Sequence, residues 1–309
     1  MRNVAGLTAH DIQERLNHIT ATDVAAIMGT SPWKTRYDLY LEKCVELKPL
    51  EPSPAMIWGS MMEPVILQFA EMILREHHRR PDLKVTKNGC RRRHGNDVMS
   101  CTLDARVVGL PEAVEAKTHA AIHGHVDLSE WGQPWTDEVP AWYRDQVCAQ
   151  LACAPDLERV WIVLSVGRMM PAFYCVERAQ HVARIAEIET AVCDFWDQHI
   201  APNIPPGDSE PTLDTARRIN VPTQEEMAVA LPDHLLERRV KVNTLKNRLE
   251  KMQERLDALI RTNLAGAIKG ETPKGHQVRL TTYHRKEYGV KAADVTRMDV
   301  RIRPPLPLR

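Results

Sequence analysis

The sequence predicts a domain of the α/β or α+β class, one mixed β-sheet flanked by helices, followed by a helical C-terminal extension. Two observations carry this. Helical spacing dominates up to about residue 80, and after Leu83 the texture changes to short, β-branched, turn-bounded runs. The resulting order of helix, strands, helix, strand is that of helices laid over a sheet.

Residues 9–48 read as helical, with Thr20 or Thr22 as the cap of a helix carrying Val24, Ile27 and Met28. Gly29-Thr30-Ser31-Pro32 stops it, and a second helix resumes near Arg36. A loop with Pro49, Pro52 and Pro54 leads to Trp58-Gly59, after which Met62, Ile66, Phe69, Ile73 and Leu74 keep helical spacing. Strands are expected at 84–90, 98–108 and 112–118, the last two joined as a hairpin by Gly109-Leu110-Pro111. A helix at 140–153, strands at 159–166 and 170–176, and a helix at 178–199 complete a body that ends at Pro205-Pro206-Gly207. The domains are therefore drawn at 1–207 and 208–309. In the second, Val242, Leu245, Leu249, Met252, Leu256 and Leu259 recur at intervals of 3 and 4, a heptad seam on a helix of about 224–269. The seam suits packing on the body or an intrachain hairpin ahead of a two-chain coiled coil. A strand at 276–288 and a Pro-rich end follow.

Composition narrows the class. The 309 residues carry 41 basic and 41 acidic side chains, so no global field advertises nucleic acid or membrane. From Asp208 onward the balance is 20 basic to 14 acidic, against 21 to 27 before it. That split gives the tail a surplus that could meet an anionic partner or coat a solvated helix face. No run approaches the roughly 20 apolar residues that cross a bilayer, and Met1-Arg2-Asn3 opens no apolar leader, so a cytoplasmic protein is expected. Seven scattered cysteines with no Cys-x-x-Cys speak against a disulfide framework or a tetrathiolate zinc site.

Chemistry concentrates at Asp104 and Glu115-Ala116-Lys117. Strand residues two apart share a face, so Glu115 and Lys117 stand side by side. Cross-strand partners in a hairpin have Cβ atoms about 5 Å apart, which lets Asp104 face Glu115. Carboxylate oxygens are hard ligands suited to Mg²⁺ or Mn²⁺, and such an ion assists phosphodiester hydrolysis by neutralising charge and acidifying water. Lys117 could hold or help deprotonate that water. Glu-x-Lys alone is common on solvated strands. Here the hairpin is otherwise apolar (Val107, Val108, Ala113, Val114), and charges among buried strands need an ion or partner.

Aspartate, a short gap, then Glu-x-Lys on the next strand resembles the signature of the PD-(D/E)xK nucleases. Arg15-Leu16-x-x-Ile19-Thr20-Ala21-Thr22, Trp58-Gly59-x-x-x-Glu63 and Tyr143-x-x-Gln146-Val147 resemble, in order, motifs of the phage lambda exonuclease and YqaJ-like viral recombinase exonuclease family, across roughly residues 12–200. The resemblance implies a restriction-endonuclease-like core and a Mg²⁺-dependent exonuclease that degrades linear duplex DNA from 5′ ends, leaving 3′ single strands for recombination, in a phage or prophage setting. It implies Asp104, Glu115 and the Ala116 carbonyl as metal ligands, with Glu63 completing the shell or orienting its waters. Lys117 would activate the water, with Gln146 and Tyr143 in support. Arg15, Thr22 and Thr102 match positions that cradle a terminal 5′ phosphate, and His123 stands near a further phosphate contact. Leu103 and Ala105 replace the proline and glycine often found beside the aspartate, a change in turn geometry and not in ligand chemistry. The implied partners are duplex ends, a single-strand annealing protein and two further copies in a trimeric ring. The rival readings are a sequence- or structure-specific DNA endonuclease on the same fold and a DNA-binding or assembly module that has lost catalysis.

Other signals weigh less. His119-x-x-x-His123-x-His125 lacks the glutamate of a zinc motif. Trp131 and Trp135 could touch bases or cover the core, and the basic runs 77–80 and 91–93 read as solvated surface.

Overall fold

The computed structural model describes residues 15–48, 50, 52–87, 91–119, 128–167, 170–219, 232–285 and 293–301, with the backbone alone for residues 91, 283–285 and 293–301. The chain divides into two units, Met1–Thr223 and Gln224–Arg309.

Among the described residues the first unit holds two sheets, not the single one expected. Strands β1 (Ile19–Thr20), β3 (Arg91–Arg93) and β4 (Met99–Thr102) form a small sheet in the order β1-β4-β3. The main sheet has the order β2-β5-β6-β7-β8, from β2 (Val85–Lys87), β5 (Ala105–Val107), β6 (Glu112–His119), β7 (Arg159–Val166) and β8 (Ala172–Glu177). Only β6 and β7 run parallel in it; the other neighbours are antiparallel. The expected strand at 98–108 therefore breaks at Leu103-Asp104. Leu103 is buried and the Asp104 carboxylate accepts the Ala116 N–H, so a side chain takes over where a backbone ladder would continue, and the chain changes sheets. The expected strand at 84–90 likewise resolves into β2 and the separate β3, with residues 88–90 outside the described set. Gly109, at φ +76°, supplies the left-handed residue that turns β5 into β6.

Helices cover both faces of the main sheet. Helix α1 (Val24–Ile27) is a single buried turn, and α2 (Arg36–Cys44) follows Gly29 and Pro32. Most of residues 15–35 is not helical, and neither threonine caps α1: its N-cap is Asp23, whose carboxylate receives the Thr20 hydroxyl and N–H. Helix α3 (Pro54–His77) starts earlier than expected, because Ser53 caps it and Pro54 is already set for its first position. Its stripe Ile66, Leu67, Ala70 and Leu74 packs on Ala105, Val107, Val114, Trp161, Val163 and Phe173. Each such fully buried aliphatic side chain contributes about 1.5–3 kcal/mol. The opposite sheet face, with Ala113, Val160, Ile162 and Leu164, packs with α4 (Ala141–Cys153) and α5 (Val182–Phe195) in the larger cluster. Helix α4 is buried along Asp145–Cys153, so polar residues on it must find partners inside the protein. Among the described residues no helix is long and apolar enough to cross a membrane.

The body continues past Gly207. Thr35 and Asp38 form a reciprocal capping box at the start of α2, and Asp38 Oδ1 also accepts the Thr212 N–H at 2.8 Å. Arg36 pairs with Asp208, Arg218 pairs with Glu42, and Leu47 bridges to Ile219. Helix α6 (Leu213–Ala216) sits in this stretch. The division thus falls after Thr223, because 208–219 is hydrogen-bonded to α2 in a way local spacing does not disclose.

The second unit contains α7 (Asp233–Leu264) and an antiparallel sheet, β9 (Lys269–Glu271), β10 (Gln277–Arg285) and β11 (Ala293–Arg301), in the order β11-β10-β9. The helix ends before 269 because Ala265 and Gly266 take positive φ. Its expected start near 224 lies outside the described residues. The nine-residue β11 is an addition to the expected strand region; its apolar residues Val295, Met298 and Val300 break strict alternation.

Asp38 is 0% exposed and satisfies backbone donors on two segments. Asp38→Ala is expected to cost about 2–3 kcal/mol in urea unfolding, from the buried N–H groups left unpaired. It should also open 208–219 to limited proteolysis before the rest of the body.

Candidate functional site

Glu115 and Lys117 occupy the α4-facing side of β6, in register with Ile162 and Leu164 of β7. One step beyond the Ala105–Val114 pair of the hairpin sets Asp104 opposite Glu115. Asp104 Oδ2 accepts the Ala116 N–H at 2.9 Å, which binds the turn between β4 and β5 to β6. Glu115, 4% exposed, is the most constrained group. Its Oε1 accepts Lys117 Nζ at 2.7 Å and Gln146 Nε2 at 2.6 Å, and its Oε2 accepts Gln150 Nε2 at 2.6 Å. Lys117 Nζ also donates to Gln146 Oε1 at 3.0 Å and lies 4.8 Å from the centre of the Tyr143 ring. Asp104, Glu115, Lys117, Tyr143 and Gln146 thus come together.

Glu63, on α3, pairs with Lys87 at 2.7 Å and is close enough to Asp104 to act on its charge. Burial, then the Glu115 carboxylate, push the Asp104 carboxyl well above the usual carboxylate range; Lys117 and the Ala116 N–H oppose this and Glu63 adds to it. Burial pulls Lys117 down, but the Glu115 and Asp104 carboxylates outweigh it and hold the ammonium above its ordinary pKa. In this arrangement Lys117 Nζ donates to Glu115 Oε1 and Gln146 Oε1.

Beside this cluster lies a cavity of about 50 Å³ lined by Arg15, Thr20, Thr22, Ser100, Thr102, Gln146 and Gln150. Its walls are β1, β4 and α4, and Asp23 fixes one rim. Burial pushes Asp23 up, yet Lys34 and Lys43, each 3.0 Å away, and Thr20 hold it far below its ordinary value. Lys43 also donates to the carbonyls of Arg15 and His18, which ties the Arg15 backbone to the same rim. Ser100 Oγ and Gln150 Oε1 are buried without a protein partner. A donor and an acceptor with nothing to satisfy them are costly unless a ligand or water does so.

Ser100 and Gln150 are the additions to the expected set. Gln150 had a legible signal, since it lies one helical turn past Gln146 and shares its face. Ser100 had none, because its role follows from β4 pairing with β1. His123, and with it His125, lies outside the described residues. Trp131 packs on Tyr143 and Tyr174, whereas Trp135 stacks between His77 and Phe173. Arg92 and Arg93 pair with Asp156 and Asp97, and His78 with Glu112, so these three side chains are engaged locally. The six described cysteines are all free, with Cys101, Cys148 and Cys153 buried.

The donors fit a hard divalent cation. Among the described residues no three His, Cys, Asp or Glu side chains form a complete cage. Mg²⁺ asks for less, one or two carboxylates with waters making up the rest. The crowding that raises Asp104 is also what a cation would relieve.

Above 3.8, the ordinary value, the unfolded chain ionises Asp104 while the folded chain keeps its proton. The stability this contributes is full below that value and is lost as pH climbs toward about 8. Chelator-treated wild type is expected to lose thermal stability relative to Asp104→Asn between roughly pH 5 and 8. Parallel melting curves across that range would remove the assignment.

Residues 12–155 match the family model of the YqaJ-like viral recombinase domain. A protein of Bacillus subtilis (strain 168), "Uncharacterized protein YqaJ", is 26% identical over 204 residues, which is 65% of this chain. The chain covers 57% of the length of that relative. Similar solved structures include LHK-Exo, an alkaline exonuclease from Laribacter hongkongensis, at 20% identity and TM-score 0.44 over 62% of this chain and 92% of that one. A phage related exonuclease from Haemophilus somnus 129PT is similar at 15% identity and TM-score 0.43 over 62% of this chain and 99% of its own. Asp104, Glu115, Lys117 and Gln146 all fall within residues 12–155, the segment that matches the YqaJ-like viral recombinase domain model.

Proposed function

We propose that this protein is a Mg²⁺-dependent exonuclease that hydrolyses linear double-stranded DNA from its 5′ ends and leaves 3′ single strands for recombination by annealing. The observation that carries the reading is the meeting of Asp104, Glu115 and Lys117 beside a polar cavity that holds two unsatisfied groups. The match of residues 12–155 to the YqaJ-like viral recombinase domain agrees with a nuclease acting on DNA.

Asp104 and Glu115 would hold the cation, with the Ala116 carbonyl as a further ligand and Glu63 orienting its waters. When bound, such an ion supplies charge neutralisation on the phosphodiester and acidification of a water. Lys117, kept protonated by its neighbours, donates hydrogen bonds to the attacking water or to a nonbridging oxygen. Gln146 and Gln150 clamp both oxygens of Glu115, so the carboxylate is held in one orientation. Tyr143 confines the Lys117 ammonium against its ring. Arg15, with the Thr22 and Thr102 hydroxyls, would take the terminal 5′ phosphate in the cavity, where a guanidinium and hydroxyl donors suit phosphate geometry. His123 is assigned a further phosphate contact. Phosphate binding needs only a local positive surface, which a chain with zero net charge can provide. A trimeric ring closed around the duplex and a single-strand annealing partner complete the proposal.

Lys117→Ala and Asp104→Ala are each expected to lower digestion of linear duplex by about 10³-fold or more while leaving DNA affinity within a few-fold. Time courses on duplex labelled at the 5′ or the 3′ end, with Mg²⁺ and with chelator, read metal dependence and polarity together. Attack on closed circular plasmid would instead favour the endonuclease reading. Arg15→Ala is expected to slow digestion of 5′-phosphorylated ends more than 5′-hydroxyl ends, and equal loss on both would reject the phosphate cavity.

A further inference from the structure

The second unit presents a surface that the nuclease reading does not use. Helix α7 is 32 residues long, about 48 Å. Val242, Leu245, Leu249, Met252, Leu256 and Leu259 lie at alternating a and d positions and are 56–64% exposed.

The borders of this seam are of one sign. The e and g positions along it carry Arg239, Lys241, Lys246, Arg248 and Arg255, with Gln253, Ile260 and Thr262 as the neutral members. The acids of α7, Glu237, Glu250, Glu254 and Asp257 among them, fall at b, c and f, on the opposite side. Lys246 lies 3.7 Å from Glu250, a contact that runs toward that acidic side and leaves the basic border in place.

Border charges choose the partner of a heptad seam. A parallel pair of α7 helices would set Lys241 against a second Lys246, and an antiparallel pair would set like border against like border. Neither arrangement gains an attractive pair, so a second copy is disfavoured. A membrane surface is disfavoured as well. The stripe has the narrow two-in-seven width of a coiled-coil seam, and α7 contains no aromatic residue to anchor in an interface.

We infer that α7 is a docking helix for a different protein, whose matching helix carries an apolar heptad stripe bordered by acidic side chains. The complex would be a heterotypic coiled coil, with the apolar seam supplying affinity and the basic borders supplying selectivity.

The test uses the full chain and two labelled synthetic peptides of four heptads with leucine at a and d, one with glutamate and one with lysine at e and g. Fluorescence anisotropy should show the glutamate-bordered peptide binding at least roughly tenfold tighter. Leu249→Ser with Leu256→Ser should abolish that binding, and Arg248→Glu with Arg255→Glu should shift preference toward the lysine-bordered peptide. Digestion of linear DNA should be unchanged in both variants, which keeps this inference separate from the nuclease reading. Equal binding of the two peptides, or binding that survives loss of the seam, would overturn the proposal. So would sedimentation showing self-association that disappears in the Leu249→Ser, Leu256→Ser variant, or phosphatidylglycerol vesicles binding through the same seam.

Discussion

A buried carboxylate with all its partners on two elements organises the site. Glu115 sits on a central strand, and its hydrogen bonds come from two glutamines of α4 and from Lys117 two residues along its own strand. Each partner matters because an unpaired charge in this position would cost several kcal/mol. The requirement fixes how α4 lies on the sheet. Gln146 and Gln150 must share the inward face, and the rest of that helix must then be apolar enough to be buried around them. The side of Tyr143 that meets Lys117 follows from the same placement.

Asp104 shows the opposite economy. It is pressed against Glu115 and within reach of Glu63, so like charges crowd one corner of the hairpin. Local repulsion of this kind weakens the fold and is tolerated where a site needs it. The surrounding structure is correspondingly firm. Asp23 with Lys34 and Lys43 braces the cavity rim, and Asp145, fully buried, is held by Arg184 and Thr30 on the far side of α4. The rigid frame and the crowded centre belong together: the carboxylates cannot relax apart.

Much of this was legible from residue order. Strand periodicity places Glu115 and Lys117 on one face, and the Gly109 turn brings Asp104 across from them. The stripe on α3 is legible at Ile66 and Leu74, but its start is not, because Pro54 opens the helix within the stretch expected as a loop. The break at Leu103-Asp104 was not legible. Residues 98–108 have unbroken strand character, and only the capture of the Ala116 N–H by Asp104, twelve residues away, ends one strand and starts another. Nor was the attachment of 208–219 to α2 legible, because Asp38 and Thr212 are separated by 174 residues and no local pattern links them.

Sequence alone determined that Glu115 and Lys117 share a strand face, because the two-residue period of a strand is a local property of the backbone. It also determined the heptad seam of α7 and the single sign of its borders, since helical periodicity is equally local. Tertiary structure alone decided which groups meet across elements. It joined Gln150 to Glu115, set Ser100 into the cavity wall, split the sheet in two and carried the body on to Ile219. Those contacts arise where buried polar atoms must find partners, and the identity of each partner is settled by packing in three dimensions and not by spacing along the chain.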